Sequence, residues 1–194
     1  MIDFELKYKG TRNYLQGGDF YNTINEMLST RFGGHLVRLV FKHFARNQCQ
    51  LLLERPADTG PVIGHGTWQA ASGDTQRFWL RETDRPVTES YPFDEEAITD
   101  AAQVEGEAIV GHRSNDSSAV ENVIALTKRL NYALSPEVNG KWLFGQLDLT
   151  AGLPESWQAI RIERTSCVGD SFSRNCIFID GVDYGEIRFI GGQP

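Results

Sequence analysis

The stretch "SAVENVIALTKRLNYAL", Ser118 to Leu134, decides the fold. Val120, Val123, Leu126, Leu130 and Ala133 fall at helical spacing on one stripe. Ile124 and Ala125 carry the apolar character beyond that stripe. Ser118 to Glu121, "SAVE", reads as a capping box: the serine oxygen takes an orphan amide and the glutamate reaches back. Pro136 and Gly140 end the helix.

Outward from this helix the chain reads as β-structure. "VEGEAIVGH" (104–112) precedes it as a strand, with the polar loop "RSNDSS" between them. "KWLFGQLDL", "QAIRIERTSCV", "RNCIFI" and "VDYGEIRFI" follow as four strands, and Asp180-Gly181 joins the last two as a hairpin. The first half has the same order. "DFELKYKG" (3–10) alternates, with Phe4, Leu6 and Tyr8 on an apolar face and Glu5, Lys7 and Lys9 on a polar one. The loop "GTRNYLQGGDFYN" (10–22) leads into a helix with Phe20, Ile24, Met27, Leu28 and Phe32 at helical spacing, stopped by Gly33-Gly34. "HLVRLVFKHF" and "QCQLLLE" read as a hairpin around "ARN". "VIGHGTWQAA" and "QRFWLRE" turn through "SGD", "TDRP" is a further turn, and "VTESY" is a short edge strand. The expected class is α+β, two strand-helix-antiparallel-strand repeats: residues 1–90, a linker at 91–104, and residues 105–194. Gly10-Thr11-Arg12-Asn13 and Gly111-His112-Arg113-Ser114 stand at matching points of the two.

Composition excludes several functions. The 194 residues are 40% hydrophobic and 23% charged, which is ordinary for a globular chain. Net charge is −7. Residues 1–100 hold 11 basic against 14 acidic side chains, and residues 101–194 hold 8 against 12. With no basic stripe, nucleic acid and anionic membranes are not expected partners. No apolar run approaches the roughly 20 residues of a membrane span. The N-terminus is not a signal peptide, so a cytoplasmic protein is expected. Cys49, Cys167 and Cys176 show neither CxxC nor zinc spacing, and buried free thiols are expected of all three. No metal is implied.

One helix laid across an antiparallel sheet, occurring twice, resembles the hotdog superfamily in its duplicated, double-hotdog form. Thioesterases of one large branch carry an acid and a Gly-His-Val-Asn-Asn loop leading to a helix tyrosine. Here "NYLQGGDFYN" keeps a helix-entry glycine pair and Tyr21, and "GHRSNDSSAVEN" keeps Gly111-His112 and Asn115. Neither half has the dehydratases' histidine-proline-glycine signature. The resemblance implies work on acyl thioesters of coenzyme A or an acyl carrier protein, by hydrolysis or by 3-hydroxyacyl dehydration. Coenzyme A or phosphopantetheine enters as part of the substrate, with no separate cofactor. A non-catalytic binding or assembly domain is the alternative. A duplicated unit satisfies its own sheet edges, so a monomer and a homodimer paired through an outer edge both fit.

The residue types then suggest roles. Gly17 and Gly18 let a carbonyl approach the exposed amides of a helix start. Asp19, or Asn13, orients water or acts as base; the competing role for Asp19 is that of a helix N-cap. Tyr14 and Tyr21 hydrogen-bond a ligand or pack with wet rims, and Arg12 holds a phosphate or is solvated. His65, between two glycines, is a candidate general base or a structural histidine. His112 pairs with Asp116 as an oriented base, or belongs to a polar turn.

Overall fold

A computed structural model describes residues 1–57, 60–113 and 117–193. The chain divides into two compact units, Met1–Phe93 and Asp94–Pro194. It is mostly antiparallel sheet, with few helices.

The first unit holds β1 (Ile2–Asp3), β2 (Tyr8–Lys9), α1 (Gly17–Phe32), β3 (His35–Phe41), β4 (Asn47–Leu52), β5 (Val62–Gln69), β6 (Thr75–Pro86) and β7 (Ser90–Tyr91). Its main sheet runs β1-β4-β6-β5-β3, all antiparallel. β2 and β7 pair in parallel apart from it. Phe20, Ile24 and Leu28 of α1 are buried, and the Phe20 ring lies 5.4 Å from that of Phe41 on β3. The expected β5–β6 hairpin forms, with Gly73 left-handed (φ +91) in its turn.

Four expectations are corrected. "HLVRLVFKHF" and "QCQLLLE" do not form a hairpin, because β3 pairs with β5 and β4 with β1 and β6. The connection between them is buried at Ala45, whose carbonyl accepts the Leu15 amide at 2.8 Å. "DFELKYKG" is two short pieces, and Lys9 is buried at 4% exposure instead of lying on a wet face. "TDRP" continues β6 and does not turn. Of the cysteines only Cys49 is buried; Cys176 is half-buried and Cys167 exposed. Burial, with Glu82 nearby, pushes the Cys49 thiol up to about 12.

The second unit holds α2 (Glu96–Thr99), β8 (Gln103–Glu105), β9 (Ala108–His112), α3 (Ala119–Leu134), β10 (Lys141–Leu149), β11 (Ala159–Val168), β12 (Phe172–Ile179) and β13 (Val182–Gly192). Its strands run β10-β13-β12-β11-β9-β8, all antiparallel. α3 packs on β9, β10, β11 and β12, so several strands cover it, as its broad apolar surface requires. Ile109, Ile160, Ile162, Ile177 and Ile187 of this sheet are buried in the core of the same unit. The capping box forms: Glu121 N donates to Ser118 Oγ, and Ser118 N to Glu121 Oε2 at 2.9 Å. Asp180 and Gly181 are both left-handed (φ 50 and 81) and turn β12 into β13.

Gly66 shows how close the first sheet packs. A Cβ there would lie 2.2 Å from the Phe78 ring and 2.4 Å from the Arg38 carbonyl. Gly66→Ala is therefore overpacked, at a cost of about 1–3 kcal/mol. The expected result in a thermal melt is a Tm lowered by roughly 2–4 °C for each kcal/mol. An unchanged Tm would contradict the packing.

Candidate active site

The start of α1 collects the residues with chemical potential. Gln16 is the N-cap, yet its side chain makes no capping bond. Gly17 and Gly18 open the helix, and Asp19 follows three residues after the N-cap. Asp19 therefore does not cap. Its side chain, 11% exposed, turns to Lys9 and Tyr91 instead. Lys9 Nζ lies 3.1 Å from Asp19 Oδ1, and the Tyr91 hydroxyl donates to the same oxygen at 2.7 Å. The Lys9 ammonium is boxed by aromatic rings, 4.0 Å from the Phe93 centroid and 5.7 Å from that of Tyr91.

The arrangement is held by backbone. Lys9 pairs with Tyr91 in the short parallel ladder, and the Gly10 amide donates to the Tyr91 carbonyl at 2.8 Å. Gly10 is left-handed (φ +61), which lets the chain leave β2 at once. One oxygen of Asp19 is thus fixed twice. The other, Oδ2, is buried with no hydrogen-bond partner, and so is Gln16 Nε2. N-cap and third-helical side chains are neighbours, as every capping box shows. An unpaired acceptor and an unpaired donor are therefore both found at the start of this helix, whose N-cap makes no side-chain capping bond. A buried polar group in that state is an unfilled demand.

The remaining candidates scatter. Asn13 is exposed. Tyr14 stacks edge-on with Phe44, ring centroids 5.0 Å apart, and Tyr21 is buried at 4% exposure. Arg12 is half-buried beside Gly10. His65 sits opposite Val40, while its neighbour Gly64 sits opposite Phe41, which faces α1 through Phe20. His65 is thus on the sheet face turned away from α1, and the structure does not bring it to Asp19. Its flanking glycines serve strand packing: a Cβ at Gly64 would meet the Val40 carbonyl at 2.4 Å. His112, at the end of β9 in the second unit, is exposed, and its expected partner Asp116 lies outside the described residues, as does Asn115. Among the described residues no three His, Cys, Asp or Glu side chains gather as a metal site. Among the described residues no helix is long and apolar enough to cross a membrane.

Sequence reasoning missed Gln16, Lys9, Tyr91 and Phe93. Tyr91 lies 72 residues from Asp19, and Lys9 sits in an alternating run that reads as exposed. The glycine pair and Asp19 marked the place.

No protein-family model matches the sequence, and no curated protein does. Solved structures do. The dehydratase domain of PpsC from Mycobacterium tuberculosis, solved with C12:1-CoA, matches at TM-score 0.54 and 7% identity, over 91% of this chain and 84% of that one. The bifunctional dehydratase-cyclase domain of ambruticin biosynthesis matches at TM-score 0.50 and 11% identity, over 93% and 83%. These are polyketide synthase dehydratase domains, which have the double-hotdog fold. The fold of this chain is hotdog-like, as the resemblance implied.

The Lys9–Asp19 pair is testable through stability. Lys9→Met leaves a buried carboxylate without its cation and is expected to cost about 3–5 kcal/mol in urea unfolding. Lys9→Met with Asp19→Leu removes both charges and is expected to regain most of that loss. Equal stabilities for wild type and Lys9→Met would refute the pair.

His65 supplies a pH test. Burial, then Lys42, Arg38 and Arg77, hold its pKa below the usual 6.5. The unfolded chain then takes up this proton first as pH falls. Stability conferred by neutral His65 is full above about pH 6.5 and declines as pH drops toward the lowered folded value. Histidine NMR titration should place its midpoint below that of a free imidazole, and His65→Gln should flatten the decline.

Proposed function

We propose that the chain binds and processes an acyl thioester, with the start of α1 as its reaction site and hydrolysis as its reaction. The observation that carries this reading is the buried Asp19 carboxylate, pinned through Oδ1 and open at Oδ2 beside uncapped helix amides. The thioester carbonyl oxygen would face the Gly17 and Gly18 amides and Gln16 Nε2, where developing negative charge meets donors and the positive helix end. Water would give a proton to Asp19 Oδ2 as its oxygen attacks the carbonyl carbon. The thiol then leaves with a proton, and the acid remains. Lys9 and Tyr91 hold the carboxylate in place. Arg12 would meet a phosphate of the coenzyme A or phosphopantetheine arm, and an acyl carrier protein would deliver the latter form.

On this reading the two units are copies of one strand-helix-sheet element, and only the first keeps a reaction site. A cytoplasmic setting fits such substrates. Dehydration of a 3-hydroxyacyl thioester is the second reading, favoured by the dehydratase domains that share the fold. In it, Oδ2 would take the proton from the α-carbon. A binding domain without turnover is the reading left if neither reaction occurs.

The experiment is a panel of acyl and 3-hydroxyacyl thioesters, followed by free-thiol release and by enoyl-thioester absorbance. Thiol release by wild type, reduced about 10²–10⁴-fold in Asp19→Asn, is the expected result. Enoyl product without thiol would replace hydrolysis by dehydration. No turnover of any chain length and no binding of coenzyme A would end both.

A further inference from the structure

The second unit carries an unexplained polar patch in its core. Asn131 of α3 and Asn175 of β12 are both 0% exposed. Asn175 Nδ2 donates to Ser173 Oγ at 3.2 Å and to the Ile187 carbonyl at 3.3 Å. Asn175 Oδ1, Asn131 Oδ1 and Asn131 Nδ2 are buried and have no hydrogen-bond partner.

Register puts these atoms in one place. Asn175 stands opposite Arg164 of β11 and Ile187 of β13, so the three share a row across the sheet. Arg164 reaches to the end of α3, where its Nη1 donates to Ser135 Oγ at 3.0 Å. Ser135 lies one turn beyond Asn131, on the same side of the helix. Asn131 therefore overlies the row that holds Asn175. The pattern of the elements agrees. The inward positions of β12 read Ser173, Asn175, Ile177, Ile179, polar at one end and apolar at the other. On α3, the fully buried Thr127 and Asn131 stand toward the helix C-terminus, and Val120 and Val123 toward its start. Polar end faces polar end.

Each orphaned buried amide group weakens folding by roughly five- to a hundredfold. A leucine, of nearly the same size as asparagine, would carry no such penalty. We infer that an internal water site lies between α3 and β12, bridging Asn131 and Asn175. A single water accepts from Asn131 Nδ2 and donates to the two Oδ1 atoms. That makes three hydrogen bonds, the usual number for a buried water. A direct bond from Asn131 Nδ2 to Asn175 Oδ1 would leave Asn131 Oδ1 open, so water answers the demand more fully. Ser173, small where β12 elsewhere carries isoleucine, leaves the room. This site belongs to the fold of the second unit and stands apart from the chemistry at Asp19.

The test measures water and stability together. Oxygen-17 relaxation dispersion on the wild-type chain should detect a long-lived internal water. Side-chain amide protons of Asn131 should show exchange-free cross-peaks to water. Asn131→Leu should remove both signals and weaken folding about tenfold, because Asn175 Oδ1 then loses its donor. An Asn131→Leu chain that is more stable than wild type would overturn the inference, showing a true orphan. So would wild-type protein with no water contact at Asn131. If Asn131→Leu fails to fold, the wild-type water measurement decides alone.

Discussion

The buried ion pair of Lys9 and Asp19 is the constraint on which the first unit's arrangement rests. A charge taken out of water is costly unless its partner is fixed beside it. Lys9 is fixed by the β2–β7 ladder and by the Phe93 and Tyr91 rings; Asp19 is fixed by Lys9 and by the Tyr91 hydroxyl. Satisfying the pair therefore brings together the N-terminal segment, the entry of α1 and the segment before Asp94. The requirement also dictates how α1 begins. Its third residue is an acid, the position where a capping box places Glu121 in α3, but Asp19 is engaged elsewhere. The two helices thus start in opposite ways. One is closed by its own side chains, and the other is left with unsatisfied polar atoms.

Much of the fold was legible where local chemistry decides. The α3 helix follows from its apolar spacing and from the Ser118–Glu121 box. The β12–β13 hairpin follows from Asp180-Gly181, both of which need left-handed backbone. What local chemistry does not decide was misread. Residues 35–44 and 48–54 have the composition of a hairpin, but strand pairing is a choice among all available edges. β5 and β6 took those edges, and β3 and β4 ended up apart. The burial of Ala45 enforces that separation, and nothing in "ARN" announces it.

The site was legible as a location and in its carboxylate, Asp19. The glycine pair at 17–18 signals a helix start that a ligand can approach. The groups that define its chemistry come from positions whose significance appears only after folding. Alternation marked Lys9 as wet because the rule reads one neighbour at a time, and its partners are 10 and 82 residues away in "GGDF" and "SYPF". His65 misled for the converse reason. Glycines on both sides of a histidine suggest room for a ligand, yet here they make room for neighbouring carbonyls and for Phe78. The inference from glycine to close approach holds, and the approaching atoms are backbone carbonyls and the Phe78 ring.

The polar inventory of the first site bears on the choice between the two proposed reactions. Dehydration removes a proton from one carbon and delivers one to the departing hydroxyl, so it needs a base and an acid, or one group that serves as both. Hydrolysis needs one acceptor for the proton of water and donors for the carbonyl oxygen. Asp19 has a single open oxygen, and its other oxygen is committed to Lys9 and Tyr91. His65, the first unit's other candidate for proton transfer, faces the other side of the sheet. With a carboxylate open at one oxygen, an amide donor at Gln16 and uncapped helix amides, the helix start holds the parts that the proposed hydrolysis would use.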